Sequence, residues 1–132
     1  MPGLIPQGQA FNRTRQVYLA TELALADTHW SRLRGLLGAS GNDFRDGRGL
    51  WITPCRGVHT LAMRFAIDVV YLDREGTVVH LERSLPPWRF APVRLQAASV
   101  IELPCHTVAS TETAVGDKIE ITVSKNRGAP SA

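Results

Sequence analysis

The chain has 132 residues, 44% of them hydrophobic and 20% charged, which suits one domain with its own core and excludes disorder throughout. The formal net charge is +3, and the arginines are scattered from Arg13 to Arg127 rather than gathered in a run. A dedicated nucleic-acid binder concentrates such charge on one face, so nucleic acid is not expected as a partner.

No run of about 18 apolar residues occurs, so no membrane-spanning helix is expected. The opening "MPGLIPQGQAFNRTR" lacks the charged and apolar regions of a secretory signal. Two cysteines, Cys55 and Cys105, make no disulfide framework. The expected setting is cytoplasmic with two unbridged thiols, although a single bridge between them stays open.

Residues 1–14 carry Pro2, Gly3, Pro6 and Gly8 without periodicity and read as a mobile or loosely docked arm. "RQVYLA" reads as a short strand. "ADTHWSRLRGLLG" reads as a helix: Asp27 or Thr28 can cap its start, Trp30, Leu33, Leu36 and Leu37 share a face, and Gly38 can stop it. Gly35 inside this pattern costs roughly 1 kcal/mol against alanine, which close approach to a sheet would offset. "ASGNDFRDGRG" is a loop, and "GLWIT" is a strand that ends at Pro54.

"VHTLAMRF" alternates, with His59, Leu61, Met63 and Phe65 on one face and Val58, Thr60, Ala62 and Arg64 on the other. "IDVVYLD" sets Asp68, Val70 and Leu72 against Ile67, Val69 and Tyr71. "REGT" is a hairpin turn with Gly76 at positive φ, and "VVHLER" returns from it. "SLPPWRFAPVRL" carries three prolines and is largely irregular. "SVIELP" and "DKIEITV" are the last strands, the second following a turn at Gly116, and residues 124–132 form a fraying tail.

Several of these strands are apolar on both faces. A sheet with one wet side would alternate cleanly. The expectation is therefore a single mainly-β domain over residues 15–123, a curled, barrel-like antiparallel or mixed sheet with one short helix packed on it.

The stretches "WSRLRGLLG", "GRGLWITPCRGVHTLAMRFAIDVVYLDREGTVV", "VIELP" and "GDKIEI" together resemble the domain of unknown function 192 (DUF192) family of small prokaryotic proteins. The resemblance runs over roughly residues 15–123 and rests on order and spacing. Its positions are Arg32 or Arg34, Gly35, Leu36, Gly49, Leu50, Ile52, His59, Thr60, Met63, Asp68, Val69, Asp73, Gly76, Glu102, Leu103, Gly116 and Asp117. Ala66 stands where many members have proline, and "PCHT" stands where many have a "PAG"-like run. The resemblance implies a mainly-β fold and brings no reaction, cofactor or catalytic residue with it.

Four groups of residues carry chemistry of interest. Cys55, His59, Cys105 and His106 offer thiolate and imidazole, but their spacing is not that of a zinc finger or ribbon, so no metal or other cofactor is expected. A Cys–His nucleophile pair lacks any visible orienting group, so no catalytic residue is assigned. His59, Arg64, Asp68 and Glu102 fall on core-like strands, where a carboxylate needs a partner. They read either as buried ion pairs that pin a barrel seam or as the charged mouth of a pocket. "PPWRF" offers Trp88 and Arg89, residue types that dominate binding hot spots, or else a lid whose tryptophan plugs the barrel.

The expected function is a non-enzymatic module that binds a small ligand or a partner protein between the His59–Asp68 segment and the Pro86–Phe90 loop. Its site would comprise His59, Arg64, Asp68, Trp88, Arg89 and Glu102. The alternatives are an enzyme using a Cys–His or acid–base pair in the same cleft, and an accessory protein of a larger assembly.

Overall fold

Seven runs of the chain form strands: β1 (Pro6–Asn12), β2 (Val17–Ala26), β3 (Arg48–Ile52), β4 (Ile67–Leu72), β5 (Val78–Leu85), β6 (Ser99–Pro104) and β7 (Ile119–Val123). A short helix, α1 (Thr107–Thr111), lies between β6 and β7. These come from a computed structural model that describes residues 6–26, 45–55, 65–87 and 92–124. The strands make one mixed sheet in the order β5-β4-β6-β3-β2-β1-β7. β2 and β3 run parallel, and the other neighbouring pairs are antiparallel.

β4 and β6 are at the centre. They pair along their whole length, from Ile67 opposite Pro104 to Leu72 opposite Ser99, and every residue of both is buried. Their β-branched residues suit a strand packed on two sides. One side faces a core built from Ala10, Leu19, Leu23, Val70, Leu72, Ile101, Leu103 and Ile119, with Val108 of α1. Because these residues come from both ends of the strand order, this is the concave side of the curl. The other side carries Ala24, Leu50, Ile52, Ile67, Val69, Tyr71 and Val100, with Cys55, Leu85 and Ala97 from strand ends and loops. We call it the outer face.

The curl brings the two edge strands together at one corner. Thr77 and Lys118 form an antiparallel bridge. Val78 N donates to Asp117 O (2.9 Å), Gly116 N to Val78 O (2.8 Å) and Ile119 N to Gly76 O (2.8 Å). The sheet is thus a half-barrel, joined at this corner. Gly76 is required there twice: its φ is +85°, and a Cβ would stand 2.5 Å from Ile119 O. The hairpin turn is also held by Asp73, whose Oδ1 accepts the amides of Glu75 and Thr77, each at 2.9 Å.

The mainly-β, curled architecture is as expected from the sequence, and three differences stand out. Residues 6–12, expected to belong to a loose arm, form β1 and pair with both β2 and β7. The polar look of "PQGQAFN" hides this strand: Ala10 and Asn12 point into the fold, and Gly8 is needed where the backbone of Thr122 crosses closely. The strand expected at "RQVYLA" runs on to Ala26. Helix α1 follows "PCH" directly and carries no apolar periodicity to announce it. The helix expected from Asp27 to Gly38 and the strand expected at "VHTLAMRF" lie outside the described residues, apart from Phe65.

Two buried carboxylates pin this frame. Asp117, 3% exposed, accepts on Oδ2 from Asn12 Nδ2 (2.9 Å), Arg15 Nε (3.0 Å) and Ala114 N (3.0 Å). Asn12 Oδ1 in turn accepts the Arg15 amide, so the β1–β2 turn is tied to the segment before β7. Burial alone, the largest influence on this carboxyl, would raise its pKa. The hydrogen bonds from Arg15, Asn12 and Ala114 and the charge of Arg15 together outweigh burial and hold it below the usual carboxylate range.

Asp68, 1% exposed, is held entirely by backbone. Between Ile67↔Leu85 and Val69↔Glu82 the β5 strand carries one residue more than β4, a bulge in which Ser84 adopts φ 53°. Asp68 Oδ1 accepts the Ser84 amide at 2.8 Å, and Oδ2 accepts the Val108 amide at 2.8 Å. One side chain therefore joins β4, the bulged end of β5 and α1.

Two outcomes follow from these pins. Asp68→Ala leaves two amides without their charged acceptor and should lower unfolding free energy by about 3 kcal/mol, read from urea denaturation. For Asp117 the folded pKa lies below the unfolded value. Its contribution is therefore present above about pH 4 and is lost as pH falls through the folded pKa. Thermal melting across pH should show the parent chain losing stability on acidification below about pH 4, and Asp117→Asn losing less.

Candidate functional site

The outer face of β4, β5 and β6 carries a group of ionisable side chains on an otherwise apolar surface. Cross-strand partners share a face, so the register fixes who meets whom. Glu82 lies opposite Val69, and Val69 lies opposite Glu102, which makes one row. In the next row His80 lies opposite Tyr71, and Tyr71 opposite Val100. A second bulge in β5 sets this alignment, because the register passes from Tyr71↔His80 to Leu72↔Val78 and leaves Val79 as the extra residue. Val79 packs on the outer core, and the His80 ring stands edge-on to Tyr71 with centroids 4.9 Å apart.

His80 and Glu82, two residues apart on one strand face, are joined by a 2.6 Å contact from Nε2 to Oε2. Both are half-buried, at 24% and 26% side-chain exposure. The carboxylate can only accept, so Nε2 carries the proton and donates. In the neutral ring Nδ1 is then left as an acceptor.

Residues 92–98, between β5 and β6, lie against this row. Tyr71 donates its hydroxyl hydrogen to Pro92 O at 2.6 Å. Ala97 N donates to Arg94 O (3.0 Å), Ala98 N to Leu72 O (2.8 Å) and Cys55 N to Ala98 O (2.9 Å), so residues 92–98 are fixed at both ends. Arg94 Nη2 stands 3.5 Å from His80 Nε2. Burial is the main cause that pushes the Tyr71 phenol well above its usual pKa. The negative charge of Glu82 adds to this, and Arg94 partly opposes it.

Of the residues singled out in the sequence, Glu102 belongs to this outer face and is 1% exposed. Asp68 does not. It precedes Val69 and points to the concave side with Val70, and both its oxygens are taken by backbone amides. The structure therefore does not bring Asp68 and Glu102 together. His59, Arg64, Trp88 and Arg89 lie outside the described residues.

Cys55 is buried in the outer core, whereas Cys105 Sγ lies 3.0 Å from Ser84 Oγ, and neither forms a disulfide. His106 is exposed and begins α1 at φ 78°. Among the described residues no three His, Cys, Asp or Glu side chains gather in a way that could hold a metal ion. Sequence reasoning missed Tyr71, His80, Glu82 and Arg94. The signal for one pair was present, since His80 and Glu82 share a strand face in "VVHLER". The bulge that brings them to Tyr71 leaves no mark in composition, and nothing in the sequence marks Arg94.

The model of the DUF192 family, described as Uncharacterized ACR, matches residues 10–121. This chain belongs to the DUF192 family. A UPF0127 protein of Thermococcus sibiricus is 29% identical over 123 residues, covering 89% of this chain and 77% of the relative. Another from Pyrococcus furiosus is 32% identical over 116 residues, covering 83% and 94%.

Two crystal structures share the fold. A protein of unknown function from Novosphingobium aromaticivorans superposes with TM-score 0.72 at 16% identity, covering 88% of this chain and 84% of that one. A protein proposed as a transcription regulator, from Sinorhizobium meliloti, superposes with TM-score 0.74 at 17% identity, covering 91% and 95%. At these identities the likeness is one of fold alone. Several residues that carried the DUF192 resemblance have frame roles here: Asp68 pins β5 and α1, Gly76 turns the β4–β5 hairpin, and Asp117 ties down Asn12 and Arg15.

Because Tyr71 is protonated more firmly in the folded chain than in the unfolded one, it favours the fold below about pH 10, and that stabilisation is lost as pH rises through the folded pKa. Subtracting the alkaline ultraviolet titration of Tyr71→Phe from that of the parent should leave no phenolate signal near pH 10. A clear step there would contradict the burial of this hydroxyl.

Proposed function

We propose that this DUF192 chain is a non-enzymatic module that binds a small ligand on the outer face of its half-barrel. The observation that carries the reading is the gathering of Tyr71, His80, Glu82 and Glu102 on one apolar sheet face, bordered by a tethered loop. A few convergent polar groups in apolar surroundings are what fixes a small molecule's orientation.

The segments bearing the other candidates begin and end at this face. Residues 56–64, with His59 and Arg64, run from Cys55 to Phe65, and both of these belong to or pack on the outer core. Residues 88–91, with Trp88 and Arg89, lead to Pro92, whose carbonyl takes the Tyr71 hydroxyl. We therefore assign His59, Arg64, Trp88, Arg89 and Glu102 to the lining, and Asp68 to the frame. The reading invokes neither nucleic acid nor a membrane, and among the described residues no helix is long and apolar enough to cross one. Two thiols without a bridge fit a cytoplasmic setting.

The His80–Glu82 pair favours a second reading, an acid–base enzyme in the same cleft, because a carboxylate that fixes the imidazole leaves its other nitrogen as a base. A thiol route has less support, since among the described residues Cys105 meets Ser84 rather than an imidazole.

The test is a screen of small neutral, cationic and anionic fragments read by NMR on labelled protein. Binding should shift resonances of Tyr71, His80, Glu82 and Glu102 together, and His80→Ala should weaken the best fragment about tenfold, the effect of one lost hydrogen bond to a partly buried group. Fragments that bind nowhere, or only on the concave side or at the β7 edge, would overturn the reading.

A further inference from the structure

We infer that Arg94 receives an oxyanion of the ligand, a carboxylate or phosphate group, at the rim of the outer-face site; the inference rests on the ligand-binding reading above. The backbone of Arg94 is held in place. Tyr71 tethers the loop at Pro92, the Ala97 amide closes a turn onto Arg94 O, and Ala97 itself is 3% exposed. Its guanidinium is aimed at the row of ionisable groups and reaches 3.5 Å from His80 Nε2.

That contact does not engage the guanidinium. His80 Nε2 has a single bonding position, and at 2.6 Å it is committed to Glu82 as a donor, so it cannot also accept from Arg94. Among the described residues Arg94, Arg74 and Arg83 make no ion pair, whereas Arg13, Arg15, Arg45 and Arg48 each do, and of the three Arg94 is the one that stands against the row of ionisable groups. Its planar fork of N–H donors is thus positioned at the site with no protein oxyanion among those residues to receive it. The complement of such a fork is a bidentate carboxylate or phosphate. The Glu82 carboxylate bonds the same His80 nitrogen that Arg94 approaches, but it forms no ion pair with the guanidinium. Beside a bound anion, His80 Nδ1 can accept from a donor group elsewhere on the same ligand.

The test follows the side-chain Nε–H resonance of Arg94 while sodium acetate or sodium phosphate is added, against sodium chloride at equal ionic strength. The expected result is a saturable shift with one of the two anions. It should be lost in Arg94→Gln and weakened in Arg94→Lys, which keeps the charge but not the fork. The anion that saturates tells carboxylate from phosphate. Exposed Arg74 and Arg83 serve as internal controls.

Shifts of equal size at Arg74 or Arg83, a response that survives Arg94→Gln, or no saturable response to either anion would each overturn the inference. If neutral or cationic fragments still shift Tyr71 and His80 in that case, the ligand-binding reading stands and only the role of Arg94 falls. If no fragment of any charge shifts them, both fall.

Discussion

Water is shut out from both faces of β4 and β6, and the placement of every ionisable group near them follows from this. A carboxylate moved from water into such a place is costly unless hydrogen bonds or charges receive it. On the concave side Asp68 meets the requirement with two backbone amides, from Ser84 and Val108. At the closing corner Asp117 meets it with Asn12, Arg15 and the Ala114 amide. These partners belong to the frame itself, so both residues act as parts of it. On the outer face Tyr71, His80, Glu82 and Glu102 instead form a row across neighbouring strands.

The curl of the sheet and the position of that row are linked. β5 and β7 meet only around residues 76–78 and 116–119. At this corner Gly76 allows the backbones to approach, and Asp117 fixes the segment that approaches. Joining two edge strands removes some of the unpaired backbone that an open sheet would present. It also turns the inner faces of strands from both ends of the order onto one core, which leaves β4, β5 and β6 to present an outer face that can be specialised. Residues 92–98 border that face from one side, tied by the hydrogen bonds from Tyr71 to Pro92 O and from Ala98 N to Leu72 O.

Much of this was legible in the sequence. The double-sided apolar runs "IDVVYLD" and "SVIELP" required burial on both faces, and their alternation put Asp68 with Val70 and Leu72, and Glu102 with Val100, as the two cores show. Gly76 and Gly116 announced turns and adopt φ of 85° and 99°. What escaped depended on pairing. β1 reads as polar because its small and amide side chains are valued for fit: Gly8 for close passage, and Asn12 for its bonds to Asp117 and Thr113. Asp68 looked like a site residue because nothing local shows that the amides of Ser84 and Val108, 16 and 40 positions away, converge on it. His80 and Glu82 were passed over because their neighbours are decided by register, which sequence periodicity does not fix when a strand is irregular.

The irregularity itself explains why a site can exist on this face. Had β5 continued without a bulge from the pair Leu72↔Val78, Val79 would have faced Tyr71, His80 would have faced Val70, and Glu82 would have faced Asp68. An imidazole and a second carboxylate would then have pointed into the concave core beside an acid whose oxygens are already occupied. One extra residue at Val79 reverses the parity of all that follows, so that His80 and Glu82 emerge on the outer face beside Tyr71 and Val69. The second bulge, at Ser84, reverses the parity again, so that Leu85 lies opposite Ile67 on the outer core, and its freed amide goes to Asp68. Between the two bulges only a short stretch of β5 is offset, and it is the stretch that carries the ionisable pair. The frame and the proposed site are therefore consequences of the same two insertions: one supplies the amide that satisfies Asp68, and the other keeps His80 and Glu82 out of the core that Asp68 helps to close.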